Sequence, residues 1–115
     1  MTDLEMTRLC AEAMGYAPMP KEGPSDVILF VRIPASHIML PEEIRRYDPI
    51  HDCAQSMDLA YWLSTNGVLS IGQRHLLFDY SDSGLGCCWV DKDETREGFR
   101  RAIVECVAKV KKARA

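Results

Sequence analysis

Phe99-Arg100-Arg101-Ala102-Ile103-Val104-Glu105-Cys106-Val107-Ala108-Lys109-Val110 decides the fold class. Phe99, Ala102, Ile103, Cys106, Val107 and Val110 recur at the spacing of one helical face, so the segment reads as an amphipathic helix from about Thr95 to Lys112. A helix with one apolar face must lay it on something. The residues before it supply a sheet. Arg74 to Tyr80 and Gly86 to Asp91 read as two strands, and Ser81-Asp82-Ser83-Gly84 between them has turn composition, which makes a hairpin. Val68 to Ile71 reads as a further strand, with Gly72 at a bulge or turn.

Upstream, Asp48 is placed as the N-cap and Pro49 as the first residue of a second helix that ends at Asn66-Gly67. Its expected apolar stripe is Ile50, Cys53, Ala54, Met57, Ala60 and Tyr61. A first helix is expected from Asp3 to Met14, with a Thr2/Glu5 capping box and Gly15 as its left-handed stop. All six prolines lie between Pro18 and Pro49. They make 16–26 and 34–46 Pro-rich connections, mostly loop, with a short helical turn considered at Pro41-Glu42-Glu43-Ile44. Val27 to Ile33 reads as a strand buried on both faces at its start. The expected order is α, β, α, β, β, β, α. The chain is thus expected to be α+β, a single domain over 1–115 arranged as an α-β-α sandwich. It would hold a mostly antiparallel sheet of three or four strands with three main helices.

Composition narrows the function. The 115 residues carry 14 Lys and Arg against 17 Asp and Glu, a net charge of −3, which argues against a dedicated nucleic-acid role. Residues 96–115 alone hold seven basic and two acidic side chains, however, and Arg100, Arg101, Lys109 and Lys112 keep a nucleic-acid reading open. No apolar run is long enough to span a membrane, and the opening residues do not read as a signal peptide. Five cysteines, an odd number, make a poor disulfide framework. Cys10, Cys53 and Cys106 are expected in the core, one of the vicinal pair Cys87-Cys88 is expected to face outward, and the compartment is expected to be cytoplasmic.

No residues are assigned a catalytic role. His51 beside Asp48 and Asp52 is the one combination that suggests a general base. The plainer reading has the two carboxylates serving a helix start. Ligand spacing for a metal is absent, and no cofactor is expected. The binding residues expected are Arg45, Arg46, Asp48, His51, Trp62 and Trp89. The arginines would add charge before a helix N-terminus, and the tryptophans would stack on a partner. Core burial is preferred for Tyr61 and Trp89 all the same.

Tyr47-Asp48-Pro49-Ile50-His51-Asp52-Cys53-Ala54-Gln55-Ser56-Met57 and Arg101-Ala102-Ile103-Val104-Glu105-Cys106-Val107-Ala108-Lys109-Val110 resemble segments of the phage ABA sandwich domain family, small proteins of tailed phages and prophages. The resemblance covers most of residues 2–112 and is weakest at 18–46. It implies a phage or prophage origin and an α-β-α sandwich, and no established activity. The expected function is a non-enzymatic accessory protein of the host bacterial cytoplasm. It would act as a counter-defence inhibitor, like the anti-CRISPR proteins, that binds a host bacterial protein complex or sequesters a small nucleotide. A homodimer is left open. The alternatives are a small enzyme using His51 with Asp48 or Asp52, and a nucleic-acid-associated protein using the last helix.

Overall fold

In the computed structural model, residues 2–18, 29–33, 43–79 and 87–114 are described. Helix α1 spans Asp3–Ala13, strands β1 Ala17–Pro18, β2 Leu29–Ile33 and β3 Glu43–Tyr47 follow, then α2 Cys53–Asn66. Strands β4 Val68–Ile71, β5 His75–Asp79 and β6 Cys87–Asp91 lead to α3 Arg96–Arg114. The protein is α+β. The single expected sheet is instead two antiparallel meanders, β1-β2-β3 and β4-β5-β6, each preceded by a helix.

The first helix forms as its sequence dictates. Thr2 Oγ1 accepts the Glu5 N–H at 3.1 Å. At the other end Gly15 takes φ 78°. The Gly15 and Tyr16 N–H groups then donate to Glu12 O and Ala11 O, a Schellman closure.

Two strands fall where connections are expected. Ala17–Pro18 pairs with Val31–Arg32, and Glu43–Tyr47 pairs along all of β2. The helical turn considered at Pro41–Ile44 is overturned at Glu43 and Ile44, which are strand. β3 was hard to read because it is an edge strand: Arg45 and Arg46 are both exposed and only Tyr47 of the three is buried. Charge on an edge is how sheets avoid unwanted pairing. In β2, Phe30 and Arg32 are exposed around the buried Val31, so its described part alternates. The start at Val27 and Ile28, the stop at Pro34 and the turn at 81–84 lie outside the described residues.

The core is one cluster drawn from both sheets and all three helices. Helix α3 is its centre. Ala102, Ile103, Val104, Cys106, Val107, Ala108 and Val110 are all buried, a wider face than the expected stripe, with Phe99 packed at its margin. α3 touches α1, α2, β5 and β6. The Cys10 thiol of α1 donates to Val104 O at 3.4 Å. Burial pushes that thiol far up, so it stays protonated.

α2 departs from expectation in two ways. It starts at Cys53, not Pro49, with Asp52 as the N-cap. Residues 48–52 make a separate turn, in which the His51 and Asp52 N–H groups donate to Asp48 O. The buried face is Ser56, Leu59 and Leu63. Cys53, Met57 and Tyr61 are exposed, Tyr61 by 72%. Ser56 interrupts the apolar pattern but is tolerated inside because its hydroxyl donates to Cys53 O at 2.9 Å. That broke the true stripe in sequence and left the false one continuous. Cys10 and Cys106 are buried as expected, and Cys53 is not. The side chains of Cys87 and Cys88 lie outside the described part.

This packing gives a paired expectation. Ile103→Ala should destabilise the fold by about 2–5 kcal/mol, because a fully buried branched side chain leaves a cavity. Cys53→Ala should change stability by less than about 0.5 kcal/mol. Chemical denaturation of both variants checks the two faces together, and the reverse ranking would contradict the packing described.

Candidate functional site

The segment from Arg46 to Gln55 is bent into place by one side chain. Gln55 Oε1 accepts the Asp48 N–H at 2.7 Å, and Gln55 Nε2 donates to Arg46 O at 2.9 Å. The carboxamide therefore pairs with β3 as a neighbouring strand would, closing the end of that edge. Its own backbone N–H donates to Asp52 Oδ1 at 3.0 Å, the cap of α2. From α3, Arg100 Nε donates to Ile50 O at 2.8 Å. Ile50 is buried below.

Held this way, the turn forms one wall of a surface cavity and the first turns of α1 form the other. The cavity is about 590 Å³, lined by Thr2, Asp3, Leu4, Thr7, Arg46, Tyr47, Asp48, Ile50 and His51. A second hollow of about 280 Å³ shares Arg46, Asp48 and His51 and adds Asp52 and Gln55. The two flank the turn and together make up the groove.

Charges alternate through the turn and on to the first turns of α3 and α1. Arg46 Nη2 lies 3.7 Å from Asp48 Oδ2, which is 2.9 Å from His51 Nδ1. His51 Nε2 is 3.5 Å from Glu97 Oε1. Arg101 spans from Glu97, at 4.0 Å, to Asp3 Oδ1, at 2.6 Å. Both imidazole nitrogens thus face carboxylates. A neutral ring can donate to one of them, and only the imidazolium donates to both. The cationic groups already have acidic neighbours, so the groove is a mixed-charge surface and no concentrated anion trap. Such exposed pairs contribute about 0–1 kcal/mol each, so exchanging them for a partner's groups costs little. The two cavity hydroxyls are engaged: Thr2 caps α1, and Thr7 Oγ1 donates to Asp3 O at 2.8 Å.

Of the six expected binding residues, Arg46, Asp48 and His51 come together. Asp48 does so through its carboxylate and the turn, not as a helix cap. Arg45 does not join them, because successive strand residues face opposite sides. It lines a cavity of about 20 Å³ with Tyr16, Tyr47, Gln55 and Asp58. Tyr47, almost wholly buried, sets its ring edge-on to Tyr16, 5.7 Å between centroids. Its hydroxyl has no hydrogen-bond partner among the described residues. Burial, with Cys10, Tyr16 and Asp58 nearby, pushes that phenol far above its usual range and keeps it neutral.

Neither tryptophan lines the groove. Trp62 packs partly buried against the core. Trp89 is 54% exposed, which corrects the preferred core placement. It stacks on His75 with centroids 4.4 Å apart and donates to Asp91 Oδ1. Directly opposite Leu77 in the ladder, it lies on the solvent face of its sheet.

Gln55, Glu97 and the pairing role of Arg101 were missed from sequence. The signal for Gln55 was present: Asp52-Cys53-Ala54-Gln55 is a capping-box spacing that places the helix start at Asp52. Nothing in the sequence signals Glu97 beside His51, a contact across 46 positions of chain. Three of the seven basic side chains of the last segment are engaged with the protein itself, Arg100 at Ile50, Arg101 at Asp3 and Lys109 with Glu105 at 3.9 Å.

Among the described residues, no group of three or more His, Cys, Asp or Glu could hold a metal ion, and no helix is long and apolar enough to cross a membrane. No family model, no curated protein and no solved structure matches the chain.

The turn has a measurable dependence on Gln55. Gln55→Ala should destabilise by about 0.5–1.5 kcal/mol, because the Asp48 N–H and Arg46 carbonyl exchange their protein partner for water. Asp52→Ala should cost about 0.5–2 kcal/mol as a lost cap. Denaturation midpoints check both. An unchanged midpoint for Gln55→Ala would remove it from its organising role.

Proposed function

We propose that this chain is a non-enzymatic binding protein that docks a host protein in the groove bordered by Arg46, Asp48 and His51. The reading extends to a phage- or prophage-encoded accessory that blocks a bacterial defence complex in the host cytoplasm. The resemblance at Tyr47–Met57 and Arg101–Val110 supports the phage origin. The alternating network Arg46–Asp48–His51–Glu97–Arg101–Asp3 beside an open cavity carries the binding reading. Paired charges of both signs suit the rim of a protein interface, where they set orientation and partner choice. They suit a free nucleotide poorly, because Asp3, Asp48, Asp52 and Glu97 would repel its phosphates.

Affinity capture from bacterial lysate with three forms of the chain tests this. One host protein should be retained by the unaltered chain and by Arg45→Ala. The Arg46→Ala/His51→Ala pair should weaken its binding by about tenfold or more, near 1.4 kcal/mol. Equal retention by all three forms would move the surface elsewhere.

One contact favours a second reading. Asp48 accepts from His51 Nδ1 at 2.9 Å, the arrangement that orients an imidazole for general-base work. His51 Nε2 then points toward Glu97 and no engaged nucleophile. Hydrolysis of a panel of p-nitrophenyl esters and phosphoesters, lost in His51→Ala, would support that reading, and its absence in the unaltered chain would count against it.

A further inference from the structure

The two sheets treat their edges differently. At β3, the open side carries Arg45 and Arg46, and Gln55 closes its end. β6 carries Trp89 and Asp91, and β1 ends in proline. Strand β4, Val68-Leu69-Ser70-Ile71, has none of these protections. It pairs only with β5 among the described strands, and Val68, Ser70 and Ile71 are exposed. No charged residue occurs between Asp58 and Arg74, in a chain where 27% of residues are charged. Sheet edges left uncharged and unbent recruit another strand.

The backbone groups on that edge can be assigned. The Gly72 N–H donates to His75 O at 2.9 Å, which continues the register in which Ile71 faces Leu76 and Ser70 faces Leu77. Hydrogen-bonded and non-hydrogen-bonded pairs alternate in an antiparallel ladder. Val68 and Ser70 therefore spend their N–H and C=O groups on β5. Leu69 and Ile71 direct theirs to the open side. Two donors and two acceptors stand there, centred on Ser70.

We propose that β4 is a homodimer edge, in which two copies pair their β4 strands antiparallel about a two-fold axis at Ser70. Leu69 of one protomer then exchanges both hydrogen bonds with Ile71 of its partner, and the reverse, giving four bonds. Ser70 faces its own copy, and a small uncharged residue is what a two-fold axis through a closely spaced pair tolerates. The side chains argue for the same occupant. Ile71 lies on the face of the buried Leu76, yet is 52% exposed, so the apolar layer runs on to the edge and stops there uncovered. Val68–Ile71 carries no charged residue, so a two-fold sets no like charges against one another across this edge. The dimer would present two copies of the groove and so bind a repeated target with avidity.

Light scattering on the full chain should give twice the 13.0 kDa chain mass at tens of micromolar, falling to the chain mass on dilution. Ser70→Lys and Ser70→Asp should each be monomeric, because each sets two like-charged side chains directly opposite one another, on Cα atoms about 4.5 Å apart. Mixing the two variants in equal amounts should restore the dimer. Amide exchange at Leu69 and Ile71 in the unaltered chain should slow by about tenfold or more from dilute to concentrated solution, a readout that needs no variant to fold. A monomer at every concentration overturns the proposal, as does a dimer that Ser70→Lys leaves intact. A dimer in which Leu69 and Ile71 exchange equally fast at both concentrations places the contact elsewhere and overturns it too.

Discussion

Burial of α3 is the constraint on which everything else rests. From Ala102 to Val110, only Glu105 and Lys109 escape full burial. A helix enclosed on most of its circumference needs more than one covering layer. It receives α1 and α2 on some sides and β5 and β6 on another. Three-stranded sheets with strands of two to five residues depend on covering their apolar face. The β4–β6 sheet gains its apolar cover directly from α3. The β1–β3 sheet gains it through α1, which lies between.

The same helix sets the groove. Its first turns reach both walls: Arg101 binds Asp3 at the start of α1, and Arg100 holds Ile50 O in the turn. Glu97 meets His51 between them. The exposed charges are therefore spaced by a rigid element, although each ion pair contributes little by itself. Gln55 supplies what α3 cannot. It satisfies a backbone donor and an acceptor where β3 stops, so the chain can leave the sheet and turn without stranded polar groups.

Much of this was legible in the residues. The α3 stripe, the β5–β6 hairpin, the cap at Thr2 and the stop at Gly15 are local signals, and local signals survive folding. β3 and the face of α2 were read wrongly for related reasons. Arg45 and Arg46 made a strand look like loop, because an edge strand wears charge that a central one would not. Ser56 hid the buried face of α2, since its hydroxyl finds a partner within its own helix and leaves no trace in the apolar pattern. In the site, Arg46, Asp48 and His51 were within reach because a turn of chain brings them together. Glu97, Arg101 and Asp3 were not, because only the packing of α3 against α1 and the turn makes them neighbours. Trp89 shows the converse: strand alternation placed it on one face but could not say which face met water.

Native-state hydrogen exchange tests the central claim, that α3 is one core shared by both halves. Amides of β2, β5 and α3 should report the same opening free energy, equal to that of global unfolding, because once α3 leaves β5 loses its cover directly and α1, which covers β2, loses its own packing. Exchange in which β5 and α3 open together while β2 and α1 stay protected would contradict it, and would make the two halves separate folding units.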